Sequence, residues 1–241
     1  MTTYRVGIAH RPGAVDGWVL DLPGCRAIGS DRDEVIALLP AVIAEHLVWL
    51  RRHAETEADP ADAGFEVVEE VETAADFAFD ADKEPLSVEA LETGIRRSQH
   101  AFADLSAYVS LPDTLLDWRV QPTAVKIDAN YPDVRSIREM LAHASGSSGF
   151  FGRNVGDAPW TAPAVASPSD VPALREAVFG RLRALTADEL AKVYRRDERE
   201  WTARKLVRRL INHERFHTKE IEQRLAWLLL AVPDVMPASR E

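Results

Sequence analysis

The sequence WTARKLVRRLINHERFHTKEIEQRLAWLLLAV occupies residues 201–232. Its apolar residues return with the period of an α-helix, which predicts one long helix over 202–232. Four side chains follow one another at steps of four, three and four: Leu206, Leu210, His213 and His217. Because residues at these steps share a helix face, the two histidines extend an apolar stripe and are predicted to point into a helical bundle. Their Cα atoms are about 6 Å apart along the helix axis, which suits two imidazoles that converge on one ion.

A second stripe lies on an earlier predicted helix, over 134–151. It consists of Met140, His143, Ser147 and Phe150, so His143 is predicted to face inward as well. Helical bundles build metal sites from inward-facing side chains on different helices. Three neutral imidazoles can hold zinc and leave one coordination position open. Spacing alone also leaves open the alternative that these histidines are ordinary core residues.

A competing motif overlaps the same residues. The segment His213-Glu214-Arg215-Phe216-His217 matches the H-E-x-x-H pattern of metalloproteases, in which Glu214 would be the general base. No Gly-x-x-His follows His217, which excludes the metzincin form. Arg215 and Lys219 place charge where a protease helix should be buried. A metallohydrolase is therefore the minor alternative, with Glu214 expected in a salt bridge on the outside of the helix.

The rest of the C-terminal part also favours helices. Periodicity predicts three further main helices and a short extra one, over 87–109, 134–151, 173–185 and 187–194. Proline-rich connections separate some of them, over 120–133 and 155–171. Four helices joined by short and long connections indicate an all-α four-helix bundle over 86–241.

The N-terminal part has a different pattern. Strands are predicted over 4–9, 17–22, 25–28 and 65–71, with a helix from Asp31 to about His53 between the last two. The order β-β-β-α-β indicates a small module over 1–72. Residues 73–85, rich in Ala and Asp, are predicted to be the linker to the bundle. The fold class of the whole chain is therefore α+β.

Composition excludes some classes of function. The formal net charge is -10, which argues against nucleic-acid binding, since that needs a concentrated positive surface. The N-terminus lacks the apolar segment of a signal peptide. The longest apolar run, over 225–232, is too short to span a bilayer. The expectation is a cytoplasmic protein with no membrane partner.

The bundle resembles the DinB-like family of metal-binding four-helix proteins. The resemblance rests on DTLLDWR over 113–119, SIREMLAH over 136–143, WTARKLV over 201–207 and NHERFH over 212–217. It covers roughly 86–232. The family's three metal-binding histidines correspond to residues present in this chain: His143, His213 and His217.

This resemblance implies a metal-dependent enzyme that acts on a small molecule. Family members bind a divalent metal, which would be zinc here, or else nickel or iron. Some use a low-molecular-weight thiol as S-transferases or isomerases, and relatives suggest a homodimer. Glu139 and Glu220 lie one turn from His143 and His217, so either carboxylate is expected to orient a histidine or complete the coordination. The rival hypothesis is a non-catalytic interaction or assembly protein, with a structural metal or none.

The N-terminal module resembles HicB-like domains. The similarity lies in GWVLDLPGCRAIGS over 17–30, followed by Glu34 and a helix. Such domains bind a small toxin protein in toxin–antitoxin pairs. Because a helical bundle follows here instead of a DNA-binding segment, we expect a module for interaction with a protein partner or for dimerisation. Cys25, the one cysteine of the chain, is interpreted as structural.

Overall fold

A computed structural model shows a mixed α+β protein, in which a small N-terminal sheet is followed mainly by helices. It describes residues 2–55, 58–73, 77–119, 135–165, 168–196 and 199–231. The predicted connection over 120–133 lies outside the described residues. The α+β fold class is confirmed.

The N-terminal module has the predicted β-β-β-α-β order. Its elements are β1 (Thr2–Arg11), β2 (Ala14–Val19), β3 (Arg26–Gly29), α1 (Arg32–Arg52) and β4 (Ala63–Glu72). The strands lie in the order β3-β2-β1-β4, and only the β1–β4 pair is parallel. A parallel pair needs a crossover connection, which α1 supplies between β3 and β4.

Helix α1 covers one face of the sheet. Asp31 caps its first turn by accepting a hydrogen bond from the Glu34 backbone N–H, as expected for an aspartate N-cap. The helix continues through Pro40. A Cβ on Gly17 of β2 would lie 2.6 Å from a methyl carbon of Val35 on α1. A glycine at this strand position therefore permits close packing of helix and sheet.

The opposite face of the sheet contacts residues 77–85, which belong to the segment predicted to be a linker. This segment contains α2 (Asp80–Lys83), and Phe79 just before it is fully buried. Phe79 packs in one cluster with Trp18 of β2. Asp82 forms a buried ion pair with Arg208 of the C-terminal part, with an Nη2–Oδ2 distance of 2.5 Å. Residues 77–85 therefore contact both the sheet and the bundle and connect the two parts.

The C-terminal part contains the four predicted long helices. Its elements are α3 (Val88–Ser106), α4 (Asp113–Leu116), α5 (Ile137–Gly152), α6 (Val171–Arg183), α7 (Ala187–Leu190), β5 (Tyr194–Arg196), β6 (Arg199–Trp201) and α8 (Ala203–Ala231). Helix α8 packs against α3 and α5, and α6 packs against α5 and α3. The four long helices therefore form a closed ring around a shared core.

One part of the C-terminal prediction is wrong. The short helix predicted over 187–194 ends at Leu190, and Tyr194 instead begins the small antiparallel pair β5–β6. Tyr194 and Trp201 are directly opposite each other in this pair, and both are buried. Burial of two large aromatic side chains favours the strand pair over a longer helix.

None of the helices in the described ranges combines the length and the apolar character needed to cross a bilayer.

Candidate metal site

The three predicted ligands lie together between α5 and α8. Ligand atoms of His143, His213 and His217 all lie within 4.8 Å of one another. The ring centroids are 5.1 Å apart for His143 and His213, 5.2 Å for His143 and His217, and 4.6 Å for the pair on α8. The imidazoles therefore converge on one point, as the sequence predicted.

Helix α8 holds its two histidines through the apolar stripe below them. Leu206 and Leu210, on the same helix face, are buried in the main core. Phe151 at the end of α5 packs edge-on against the His213 ring, with 5.6 Å between centroids. An inward-facing imidazole fixed by packing loses little further freedom when it binds an ion.

The surroundings keep two of these histidines uncharged. Burial, followed by the charges of His217 and His143, holds the pKa of His213 well below its ordinary value. Burial, followed by the charges of His217 and Arg135, lowers the pKa of His143 to about 4. A neutral imidazole keeps the nitrogen lone pair that a metal ion needs. Both rings are thus in the form that binds metal at neutral pH.

Glu220 defines which nitrogen of His217 faces the site. Its Oε2 lies 2.6 Å from His217 Nδ1, and both side chains are buried. A carboxylate in this position accepts a hydrogen bond from Nδ1–H, and in a neutral imidazole this leaves the lone pair on Nε2. A carboxylate that holds a ligand histidine in this way is typical of metal sites. The donor set therefore fits a divalent ion such as zinc.

The comparisons with known proteins name no family. No family model matches the chain, and searches of curated proteins and of solved structures find no match either.

Glu139, the other carboxylate predicted to support the site, is part of the capping box at the start of α5. Ser136 caps this helix, and the Glu139 carboxylate accepts a hydrogen bond from the Ser136 backbone N–H. The same carboxylate forms an ion pair with Arg119 and is largely exposed. These contacts lower the pKa of Glu139. Of the two predicted carboxylates, only Glu220 is hydrogen-bonded to a ligand histidine.

This difference gives a matched pair of variants. We expect Glu220→Ala to weaken metal binding about 10- to 100-fold, because His217 loses the group that fixes its ring and tautomer. Glu139→Ala should leave the metal affinity unchanged and cost about 1 kcal/mol of stability, because the Ser136 backbone N–H loses the carboxylate that accepts its hydrogen bond. Competition with a chromophoric chelator measures the affinities. Equal metal affinities for the two variants would contradict the role assigned to Glu220.

Glu214, the general base of the competing motif, is buried on another side of α8. Its carboxylate forms an ion pair with Arg175 of α6, and Ser98 of α3 donates a hydrogen bond to it at 3.4 Å. Glu214 is only 1% exposed, so the predicted salt bridge exists but lies inside the bundle. Because Arg175 already occupies this carboxylate, it is poorly suited to activate a water for hydrolysis.

The other four histidines are engaged elsewhere. His10 contacts Glu70, and His53 contacts Asp104 while it stacks on His100 with 4.3 Å between centroids. The fully buried His46 accepts a hydrogen bond from Arg215. Within the described ranges, the cluster of His143 and its two partners is the one group with metal-binding geometry.

Trp160 lies over the end of α5. Arg181 stacks on its ring at 5.5 Å, and the ring lies close to Gly152. The ring lines a groove of about 470 Å³ together with Phe150 and Arg153. None of the three ligand histidines lines this groove, so Trp160 is an anchoring aromatic residue of the loop.

Cys25 has the structural role predicted for it. Its side chain is 2% exposed, and burial raises its pKa to about 12. We expect it to react with Ellman's reagent at pH 8 only after unfolding, because the thiolate is the reacting species. A time course in buffer and in guanidinium chloride measures this. Complete reaction within minutes in buffer would contradict the buried position.

Sequence reasoning missed the arginines around the site. The charges of Arg209 and Arg135 both contribute to the lowered pKa of His213. Arg224 donates a hydrogen bond from Nη1 to the backbone oxygen of Arg135. Glu220 follows His217 by three residues, and Arg224 follows Glu220 by four. Arg224 therefore lies on the same face of α8 as the histidines, and the sequence pattern could have identified it.

Proposed function

We propose that His143, His213 and His217 bind one divalent metal ion and that the protein is a metal-dependent enzyme. In this proposal, residues 86–241 are a DinB-like bundle and residues 1–72 a HicB-like module. The reaction is transfer of a low-molecular-weight thiol to an electrophilic small molecule. The observation that carries the proposal is the convergence of three ligand atoms within 4.8 Å, with Glu220 behind one of them.

The number of ligands favours catalysis over a structural ion. Structural zinc sites are closed by four protein ligands, whereas catalytic sites have three and keep one position for water or substrate. The described part of the chain supplies three ligands at this point. A non-catalytic assembly protein is the second candidate, and a fourth protein ligand would favour it.

Each group at the site would have a defined role in such a reaction. A bound divalent ion can lower the pKa of a thiol in its open position and so favour the nucleophilic thiolate. The thiol proton passes to solvent, the sulfur lone pair forms the new C–S bond, and the leaving group departs with its electron pair. Glu220 keeps the His217 ring in one orientation throughout. Phe151 excludes water from one side of His213.

The test is thiol consumption by the metal-loaded protein. A low-molecular-weight thiol is incubated with 1-chloro-2,4-dinitrobenzene, and formation of the thioether is followed by absorbance. We expect acceleration over the uncatalysed reaction with wild type and with the control His10→Ala, and none with His213→Ala. Metal-loaded protein that accelerates none of a panel of thiols and electrophiles, with four protein ligands on the ion, would favour the assembly protein.

A further inference from the structure

Arg224 is a buried cation on α8, the helix that carries His213 and His217. It is 4% exposed and lies one turn beyond Glu220 on the helix face of His213 and His217. Its Nη1 donates to the carbonyl oxygen of Arg135, and its Nε has no hydrogen-bond partner in the described part of the chain. A buried guanidinium with an unsatisfied donor is costly.

The other buried arginines of the bundle are neutralised by carboxylates. Arg175 pairs with Glu214, and Arg208 pairs with Asp82. Within the described ranges, no carboxylate lies in ion-pair distance of Arg224, and the acid whose charge acts on it, Glu220, already bonds His217. A buried charge without a partner destabilises a protein unless a ligand pairs with it.

The charges of two further arginines act on His213. Arg135 precedes the cap of α5, and Arg209 lies one turn before His213 with its guanidinium 5.8 Å from the Phe151 ring centre. A divalent cation held by the three histidines would add positive charge close to Arg224. Such surroundings attract an anion, because fixed positive charge that is shielded from water favours negative ligands.

We infer that the substrate of this site is anionic and that its carboxylate, or an anionic group of similar size, pairs with Arg224. The inference rests on the proposed function, since it names the class of molecule that the metal site takes. Arg224 acts as a binding residue. Its Nε–H donates a hydrogen bond to the anionic group of the substrate, while the reacting atom of the substrate lies at the histidine cluster.

The test compares a charged and a neutral thiol on cobalt-loaded protein. Cobalt stoichiometry is measured first, and thiol binding is then followed by the cobalt absorption spectrum. We expect 3-mercaptopropionate to bind wild type about tenfold more tightly than its methyl ester, the effect of one charge-assisted hydrogen bond. In Arg224→Gln, the ratio of the affinities for the acid and the ester should fall to the ratio measured with cobalt ion in the absence of protein. In Arg138→Gln, which removes an exposed charge paired with Asp117, it should persist.

The outcomes separate the inference from the function on which it rests. Absence of cobalt uptake by wild type would overturn the proposed metal site and this inference together. Cobalt uptake with equal affinity for the two thiols would overturn the inference alone. A preference that persists in Arg224→Gln, with cobalt content and circular dichroism as in wild type, would show chelation by the thiol itself and would also overturn it.

Discussion

Glu214→Gln is expected to lower the free energy of unfolding by about 3 kcal/mol or more, because it leaves Arg175 as a buried charge without its partner. Both residues are at most 4% exposed. Arg175 also donates hydrogen bonds to the backbone and side-chain oxygens of Ser98 and lies over the Phe102 ring at 4.2 Å. The guanidinium is therefore fixed in place and cannot turn to solvent. Urea unfolding followed by circular dichroism measures the change.

A double variant provides the control for this ion pair. Arg175→Met combined with Glu214→Leu should be more stable than Glu214→Gln alone, since apolar replacement of both partners removes the stranded charge. The metal content of all these variants should equal that of wild type. A Glu214→Gln protein of unchanged stability that has lost a hydrolytic activity would contradict this account and favour the H-E-x-x-H alternative.

Phe79→Ala is expected to destabilise the protein by about 3–5 kcal/mol, the usual effect of truncating a fully buried phenylalanine. The ring fills the space beside Gly7 of β1, where an added Cβ would lie 2.4 Å from it, and it packs in a cluster with Trp18. Because this cluster joins the sheet to the segment that leads into the bundle, its loss should weaken both parts together. Thermal and urea unfolding measure the effect.

Phe77→Ala is the matched control for this prediction. Phe77 stacks edge-on against Phe79, with 4.7 Å between ring centroids, but is only partly buried. Its truncation should therefore cost clearly less than that of Phe79. Equal, small effects of the two substitutions would contradict the packing and would support a loose linker over 73–85.

The elements that depend on local sequence were predictable. Helix α8 and its inward histidine pair follow from steps of three and four along one face, which any helix of that sequence must reproduce. The β-β-β-α-β order follows from alternation and turn residues in the first 72 positions. The convergence of His143 with the α8 histidines was predicted from two stripes that face one interior.

The features that were missed depend on partners distant in sequence. Glu214 is buried because Arg175, 39 residues earlier in the chain, reaches it from α6. The β5–β6 pair forms because the interior accepts Trp201, which packs near Phe150 and Phe151. The spacing of residues over 194–201 does not indicate that the interior has room for the Trp201 side chain.

The two carboxylates show a signal that sequence reasoning overlooked. Glu139 and Glu220 are each one turn from a ligand histidine, so spacing treats them alike. Ser136 three residues before Glu139 forms the capping-box pattern, which reserves that carboxylate for the helix start. Glu220 lies in the interior of α8, where no cap competes for it, and it bonds His217.

Metal content is the most direct test of the three-histidine site. Wild type, His10→Ala and the double variant His213→Ala with His217→Ala are purified without a histidine tag, incubated with zinc, desalted and analysed by mass spectrometry. We expect about one zinc per chain in wild type and in His10→Ala and none in the double variant, since both ligands on α8 are lost. Equal zinc content in all three proteins, or no zinc in wild type, would contradict the site.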